Sequence, residues 1–389
     1  MTRITSGSPA PSPTVVIAPD AFKGTATAQQ AAQWLGDGVR SVIHDANVIL
    51  APMADGGEGT SSLFAGERIT LPTTDAAGRL TEATYTFDAE TETAYIDVAA
   101  ATGLPAVKDH LVPLTGDTYG TGVLVADAET RGARRIVLGL GGSATIDGGT
   151  GILVALGVNP LNSRGLTLAP GGGALVDLAD FDTAKMNIPA ASVDWILLAD
   201  ALVPATGPRG AASIFGPQKG ASEADVDALD RSLARLCEVT GVDGAQPGYG
   251  AAGGIAIGLT WVSTLLHGTS EHVTVLPGAK VVAEANDVPG KIAGASLVIT
   301  GEGRFDSQTA EGKVVSTICD IAARAARDTD SSPVVAVVAG SFEAPVPSPD
   351  ADHPVIAVTL EDIHDVQEQL TRAGAAAAAD YLRISTTQG

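Results

Sequence analysis

Positive charge is scarce in this chain. Its 389 residues carry 23 Lys and Arg against 45 Asp and Glu, a formal net charge of −22. That balance excludes the basic face from which nucleic-acid binders draw much of their affinity, and it repels anionic membranes, so neither partner is expected. Most of the excess acidity reads as a solubility feature of the surface. A field of this sign also slows an anionic substrate, so a site for one must gather its few cations locally. Five of the 23, Lys23, Arg209, Lys219, Arg304 and Lys313, lie in or beside glycine-rich loops. Cysteine is equally rare: Cys237 and Cys319 stand far apart, outside any metal or redox spacing, which excludes a disulfide framework and predicts a reducing compartment. The six histidines form no HExxH-like pair. No stretch is long and apolar enough to span a bilayer, and the start, MTRITSGSPAPSPT, is a polar Ser/Pro tail without a signal-peptide core. The expected location is cytoplasmic.

What is present is Ala, Val, Leu and Gly, with 45% hydrophobic and only 4% aromatic residues, a composition that suits an α/β protein. The length favours two domains. Residues 15–18 form a β-branched run ending at Pro19, 20–24 a loop, and 27–39 a helix that the hydroxyl of Thr25 or Thr27 is placed to cap. A second strand at 48–51 leads into the glycine-rich loop 54–60. Apolar strands ending in polar loops that feed helices predict a parallel sheet, with ligands beyond the carboxyl ends of its strands. The short alternating runs at 69–71, 83–87 and 95–98 instead predict antiparallel pairing. Further strands are expected at 136–140 and 195–199, and helices at 224–239 and 251–266. From Leu297 the strand–loop–helix character returns, with apolar runs at 334–339 and 355–358 and an Ala-rich terminal helix at 366–382. The expected organisation is a flexible tail at 1–13, a discontinuous Rossmann-like parallel-sheet domain from 14–68 plus 290–389, and an inserted second α/β domain at 69–289.

The loops carry the chemistry. LGLGGSATIDGGTG, at 138–151, holds six glycines in fourteen residues; without Cβ atoms the backbone can approach a ligand closely, and successive N–H groups make an anion nest. Gly141, Gly142, Ser143, Thr145, Asp147 and Gly148 are therefore candidate phosphate contacts, the competing role of Asp147 being to order the loop backbone. Asp20 and Lys23 follow the first strand, where a carboxylate can hold magnesium or accept a proton and a lysine can neutralise phosphate; a helix cap is the alternative for Asp20. Asp55 and Glu58 repeat the theme after the second strand, suited to a metal or, for Asp55, to capping. Asp200 ends the strand WILLAD, and Arg209 and Lys219 stand in the rigid frame TGPRGAASIFGPQKGAS, which fits either an oxyanion or a subunit contact. GEGRFDSQTAEGK packs Glu302, Arg304, Asp306, Ser307, Gln308, Thr309 and Lys313 after a buried strand; binding residues gather at such an edge, though the alternating charges also suit internal salt bridges. There is neither a GxxxxGK[ST] nor a GxGxxG with its acidic partner. Anion donors, cations and carboxylates together are the parts of phosphoryl transfer.

In order, PDAFKGT, PMADGGEGT, GLGGSATIDGGTG, LAD with TGPRGAASIFGPQKGAS, PGYGAAGGIAIGL, LVITGEGRFDSQTAEGK and VVAVVAG closely resemble the type I glycerate kinase family from Val15 onward. The resemblance implies a two-domain α/β fold with a discontinuous Rossmann-like domain and the active site in the cleft. It also implies ATP, magnesium and D-glycerate, with 2-phosphoglycerate the usual product. Two positions depart from the family pattern. Ile146 stands where an Asn usually follows SAT, and Val203 lies in ALVPA where a polar run is usual; if those amides touch substrate, a related hydroxy acid becomes an alternative.

On that basis the expected chemistry is direct in-line transfer of the γ-phosphoryl group to a glycerate hydroxyl. Asp20, Lys23, Asp200 and Arg304 are the expected catalytic set, Asp20 or Asp200 being the base. Asp55 and Asp200 are the expected metal ligands. Nucleotide phosphates would meet the Gly141–Gly149 loop, with charge added by Lys23, Arg209, Lys219 or Lys313. Arg304, whose planar fork matches a carboxylate, would bind glycerate with Asp306, Ser307 and Gln308. A non-catalytic sensor of a nucleotide or phosphorylated metabolite is the rival from another class. Oligomeric state is not predicted.

Overall fold

The computed structural model describes residues 12–22, 24–305, 313–328, 333–346, 355–361 and 364–388. The tail expected at 1–13 lies almost wholly outside the described residues, as do Lys23, Asp306, Ser307, Gln308 and Thr309. The strands begin with β1 (Thr14–Ile17), β2 (Asn47–Leu50), β3 (Glu67–Thr74), β4 (Leu80–Asp88), β5 (Thr93–Asp97) and β6 (Arg135–Gly139). They continue with β7 (Asn159–Asn162), β8 (Leu178–Asp182), β9 (Asp194–Leu198) and β10 (Val273–Leu276), then β11 (Leu297–Glu302), β12 (Val334–Ala339) and β13 (Val355–Thr359). No helix among the described residues is long and apolar enough to cross a membrane.

The chain divides into two compact units, one formed by Met1–Met53 with Ala283–Gly389 and the other by Ala54–Val282. The first is thus discontinuous. Its sheet runs β13-β12-β11-β1-β2, all parallel, so the amino-terminal strands pair directly with strands some 280 residues later, as in Val15↔Leu297 and Ile17↔Ile299. Central parallel strands are covered on both faces and therefore read as continuous apolar runs. Val15, Val16 and Ile17 are fully buried, each stabilising the unit by about 1.5–3 kcal/mol. The helix Ala28–Val42 packs on this sheet beside the terminal helix Val366–Gln388, through Leu35, Val39, Leu370 and Ala377. Thr27 provides the cap: its hydroxyl accepts from the Gln30 amide while Gln30 Oε1 accepts from the Thr27 amide.

The second unit holds a six-stranded sheet in the order β10-β9-β6-β5-β4-β3. β3, β4 and β5 pair antiparallel, whereas β5, β6, β9 and β10 run parallel. Its core includes Tyr85, Leu124, Ile136, Leu138, Ile146, Ile152 and Trp195. β10 and the β7–β8 hairpin are elements that sequence patterning did not reveal. Four parallel strands thus end on one edge of this sheet, where Asp97, Gly139, Leu198 and Leu276 are the last strand residues. Residues 54–68, placed by sequence with the Rossmann-like domain, lie in this unit because their turn is hydrogen-bonded to that edge.

Candidate active site

The loop after β6 meets the 54–61 turn at van der Waals limits. Gly141 donates its amide to the Gly56 carbonyl at 2.9 Å, and a Cβ on Gly141 would stand 2.6 Å from Gly57 Cα. Only glycine permits that approach. Asp55 Oδ1 accepts from the Gly57 amide at 3.0 Å, which folds the turn on itself. Beyond β9, Asp200 Oδ1 accepts from the Gly278 amide at 2.7 Å. A Cβ on Gly278 would run into the Asp55 carbonyl, so this one glycine abuts both segments that carry the predicted metal-binding carboxylates. Among the described residues no cluster of three His, Cys, Asp or Glu forms a complete metal cage. One or two carboxylates suit magnesium, which keeps several waters and takes its remaining oxygens from phosphates.

The glycine loop itself is mostly interior. Gly141 and Gly142 reach the surface, but residues 143–150 are buried. Their backbone donors are largely engaged within the protein: Ala144 N–H bonds Thr102 O, Gly148 N–H bonds Gly253 O, and the amides of Gly149 and Gly151 bond the Asp147 carboxylate. Asp147, fully buried, also accepts from the Thr118 amide and hydroxyl. Lys219 lies beneath the same loop, only 2% exposed, and donates to Ser143 Oγ at 3.0 Å and Thr145 O at 2.7 Å. Burial pushes its ammonium down to about 7, with the Asp147 charge drawing it partly back up. Ser143 Oγ, the Thr145 carbonyl, the Asp147 carboxylate, Gly148 N–H and Lys219 Nζ, all on residues expected from sequence to meet phosphate, thus bond within the protein. Gly142 is exposed, and Gly141 is half-buried with its amide given to Gly56 O.

In the discontinuous unit, an open hollow of about 490 Å³ is lined by Asp20, Thr25, Glu302, Arg304, Lys313 and Gln369 among others. Asp20 follows β1, its amide bonded to Gly301 O and its Oδ1 accepting from the Ala21 amide. Arg304 pairs with Glu343 at 2.6 Å, both half-exposed, a salt bridge of the kind the alternating charges suggested. Solvent makes such a pair worth at most about 1 kcal/mol. Lys23, Asp306, Ser307 and Gln308 lie outside the described residues. Arg209 is exposed on the 206–210 turn of the other unit.

The model of the glycerate kinase family matches residues 15–385. The chain belongs to the glycerate kinase family. A glycerate kinase of Halalkalibacterium halodurans is 41% identical over 77% of this chain and 80% of its own. A glycerate 2-kinase of Escherichia coli K12 is 36% identical over 79% and 81%. The crystal structure of a protein provisionally named glycerate kinase 2, from Salmonella typhimurium LT2, superposes with a TM-score of 0.77 at 30% identity, covering 97% of this chain and 99% of that one. As a glycerate kinase family member, this chain is a small-molecule kinase that transfers a phosphoryl group from ATP to an alcohol.

Membership sharpens the two departures noted in the sequence. Ile146 is fully buried in the core of the inserted unit, so its side chain packs against protein rather than substrate. Val203 is partly buried, and its carbonyl accepts from the Gly250 amide. Sequence reasoning also passed over Asp97, 4% exposed at the end of β5. A lone carboxylate in the apolar run TAYIDVAA was its only signal.

Proposed function

We propose that this chain phosphorylates D-glycerate with ATP and magnesium, giving 2-phosphoglycerate by direct in-line transfer. The observation that carries the reading is the edge of the inserted sheet, where the Asp55 and Asp200 segments abut Gly278 beside the half-buried Gly141 and the exposed Gly142. Carboxyl ends of parallel strands are the ligand side of such sheets. The family match supports the substrate, and the name of the Escherichia coli relative supports the 2-position.

In this scheme Asp200 accepts the proton of the glycerate hydroxyl as the bond to phosphorus forms, its rigid place beyond β9 setting the geometry. Gly141 and Gly142 allow phosphate oxygens to approach the backbone, with charge supplied by Lys23, Arg209 or Lys313. Asp55 and Asp200 would hold magnesium, which supplies neutralisation of phosphate charge when bound. Arg304 would orient the glycerate carboxylate through two parallel hydrogen bonds, displacing Glu343. Asp20, in the hollow with Arg304, is the second candidate for the base.

The direct test is incubation with ATP, magnesium chloride and D-glycerate, followed by phosphorus NMR of the product. The expected result is magnesium-dependent formation of ADP and 2-phosphoglycerate. ADP and inorganic phosphate without a phosphorylated acid would overturn the glycerate reading, and nucleotide binding without turnover would overturn it in favour of a sensor. A second expectation concerns Gly278→Ala. The added methyl would collide with the Asp55 carbonyl and shift both carboxylate segments, so kcat/KM should fall about 10²-fold with the circular dichroism spectrum retained; an unchanged kcat/KM would detach Gly278 from the site.

A further inference from the structure

We infer that Asp97 is a positioning residue that braces the 55–61 turn, and through it Asp55, against the sheet edge. Three donors converge on its buried carboxylate. Gly59 N–H reaches Oδ2 at 2.9 Å, Ser61 N–H reaches Oδ1 at 2.9 Å, and the Ser61 hydroxyl reaches Oδ2 at 3.0 Å. The turn is continued from there by the Thr60 hydroxyl, which donates to Gly57 O at 2.7 Å, and by the Gly57 amide, which donates to Asp55 Oδ1. From the other side, the Thr86 hydroxyl of β4 donates to Ser61 O at 2.7 Å. Asp97 is the last residue of β5 and faces Gly139 across the parallel pair with β6. Hydrogen bonds, joined by the short backbone of residues 57–61, therefore connect a strand end to the carboxylate assigned to magnesium.

A buried carboxylate is costly to keep unless its charge is satisfied. Here burial raises the Asp97 pKa to about 6, against the downward pull of the Ser61 and Gly59 bonds and of the Arg68 guanidinium. Ionised, both oxygens accept. At neutral pH the charged carboxylate is thus held in place by those three bonds and the Arg68 charge. The inference rests on the kinase reading only for the role of Asp55; the bracing itself is independent of activity.

The test uses the full-length wild type with Asp97→Asn and Ser61→Ala. Asparagine keeps the shape but turns an amide nitrogen toward a donor, so the exchange of the Gly59 amide with deuterium should speed by at least about tenfold, the factor for one hydrogen bond of ~1.4 kcal/mol. For phosphorylation of glycerate, kcat/KM of Asp97→Asn should fall about tenfold, with a higher magnesium requirement and little change in KM for glycerate. Ser61→Ala, which removes one of the three donors, should show a smaller loss. Unchanged exchange at Gly59 together with unchanged kinetics would overturn the inference. A wild type inactive on glycerate would overturn the kinase reading alone, and the Gly59 exchange rate would then decide for or against the brace.

Discussion

Replacing Asp200 with asparagine should lower kcat/KM for glycerate phosphorylation about 10³-fold while leaving the fold intact. The expectation follows from what the substitution keeps and what it removes. Asparagine retains an oxygen that accepts from the Gly278 amide, the 2.7 Å bond that anchors this side chain, so the β9–β10 edge has no reason to move. The capacity to accept a proton from the substrate hydroxyl is lost, and with it a general-base contribution of about 10² to 10⁴. A thousandfold loss corresponds to about 4 kcal/mol of transition-state stabilisation. Asp200 is also assigned to magnesium, and a titration of activity against magnesium chloride separates the roles: a lost metal ligand moves the midpoint upward, whereas a lost base lowers the plateau. Both changes are expected, the plateau being the larger. A variant within tenfold of wild type at saturating magnesium would remove Asp200 from the proton transfer and transfer that role to Asp20.

Much of the architecture was legible because its signals are local. Val15 to Ile17 and Val334 to Ala339 are apolar on both faces, and only buried parallel strands tolerate that pattern. The alternation in 69–71 and 83–87 announced the antiparallel pair with equal clarity. β10 was not legible, since four residues, VTVL, flanked by His272 and Pro277, carry too short a period to stand out. The site was legible to the extent that glycines and charged residues mark loops. What sequence could not supply was which way those loops face. Ser143, Thr145 and Asp147 have the residue types of a phosphate cradle, yet Ser143 Oγ and the Thr145 carbonyl turn inward to Lys219, and the Asp147 carboxylate to Thr118 and the loop amides. Such inward turning is a tertiary outcome, decided by the helix that brings Leu233 and Leu236 up to Gly148. Asp97 failed for the opposite reason, because nothing in its neighbourhood looks like a loop.

Asp147→Ala should be the most destabilising single change in the glycine loop, costing at least about 4 kcal/mol. Its carboxylate accepts four hydrogen bonds at full burial, from Thr118 N–H at 2.9 Å, Thr118 Oγ1 at 2.8 Å, Gly151 N–H at 2.9 Å and Gly149 N–H at 3.2 Å. Alanine leaves those donors without their acceptor in a site closed to bulk water, and each buried unsatisfied group costs about 1–3 kcal/mol. The charge matters as well. Lys219 is buried on the same loop, with the Asp147 carboxylate supporting its protonated form. Without Asp147 the lysine should shed its proton more readily, so its pKa should move below about 7. Asp117 offers an independent check, because burial and the Asp147 charge together hold its carboxyl at about 6; removing that charge should let it titrate lower. For a unit of this size about 2–4 °C of melting temperature accompanies each kcal/mol, so calorimetry should find the inserted unit melting roughly 10 °C or more below wild type. Asp147→Asn, which keeps one acceptor oxygen but sets an amide nitrogen against the Thr118 or Gly149 donors, should fall between. An alanine variant melting within about 2 °C of wild type would mean that water replaces the carboxylate in full, and that the loop owes its shape to glycine packing alone.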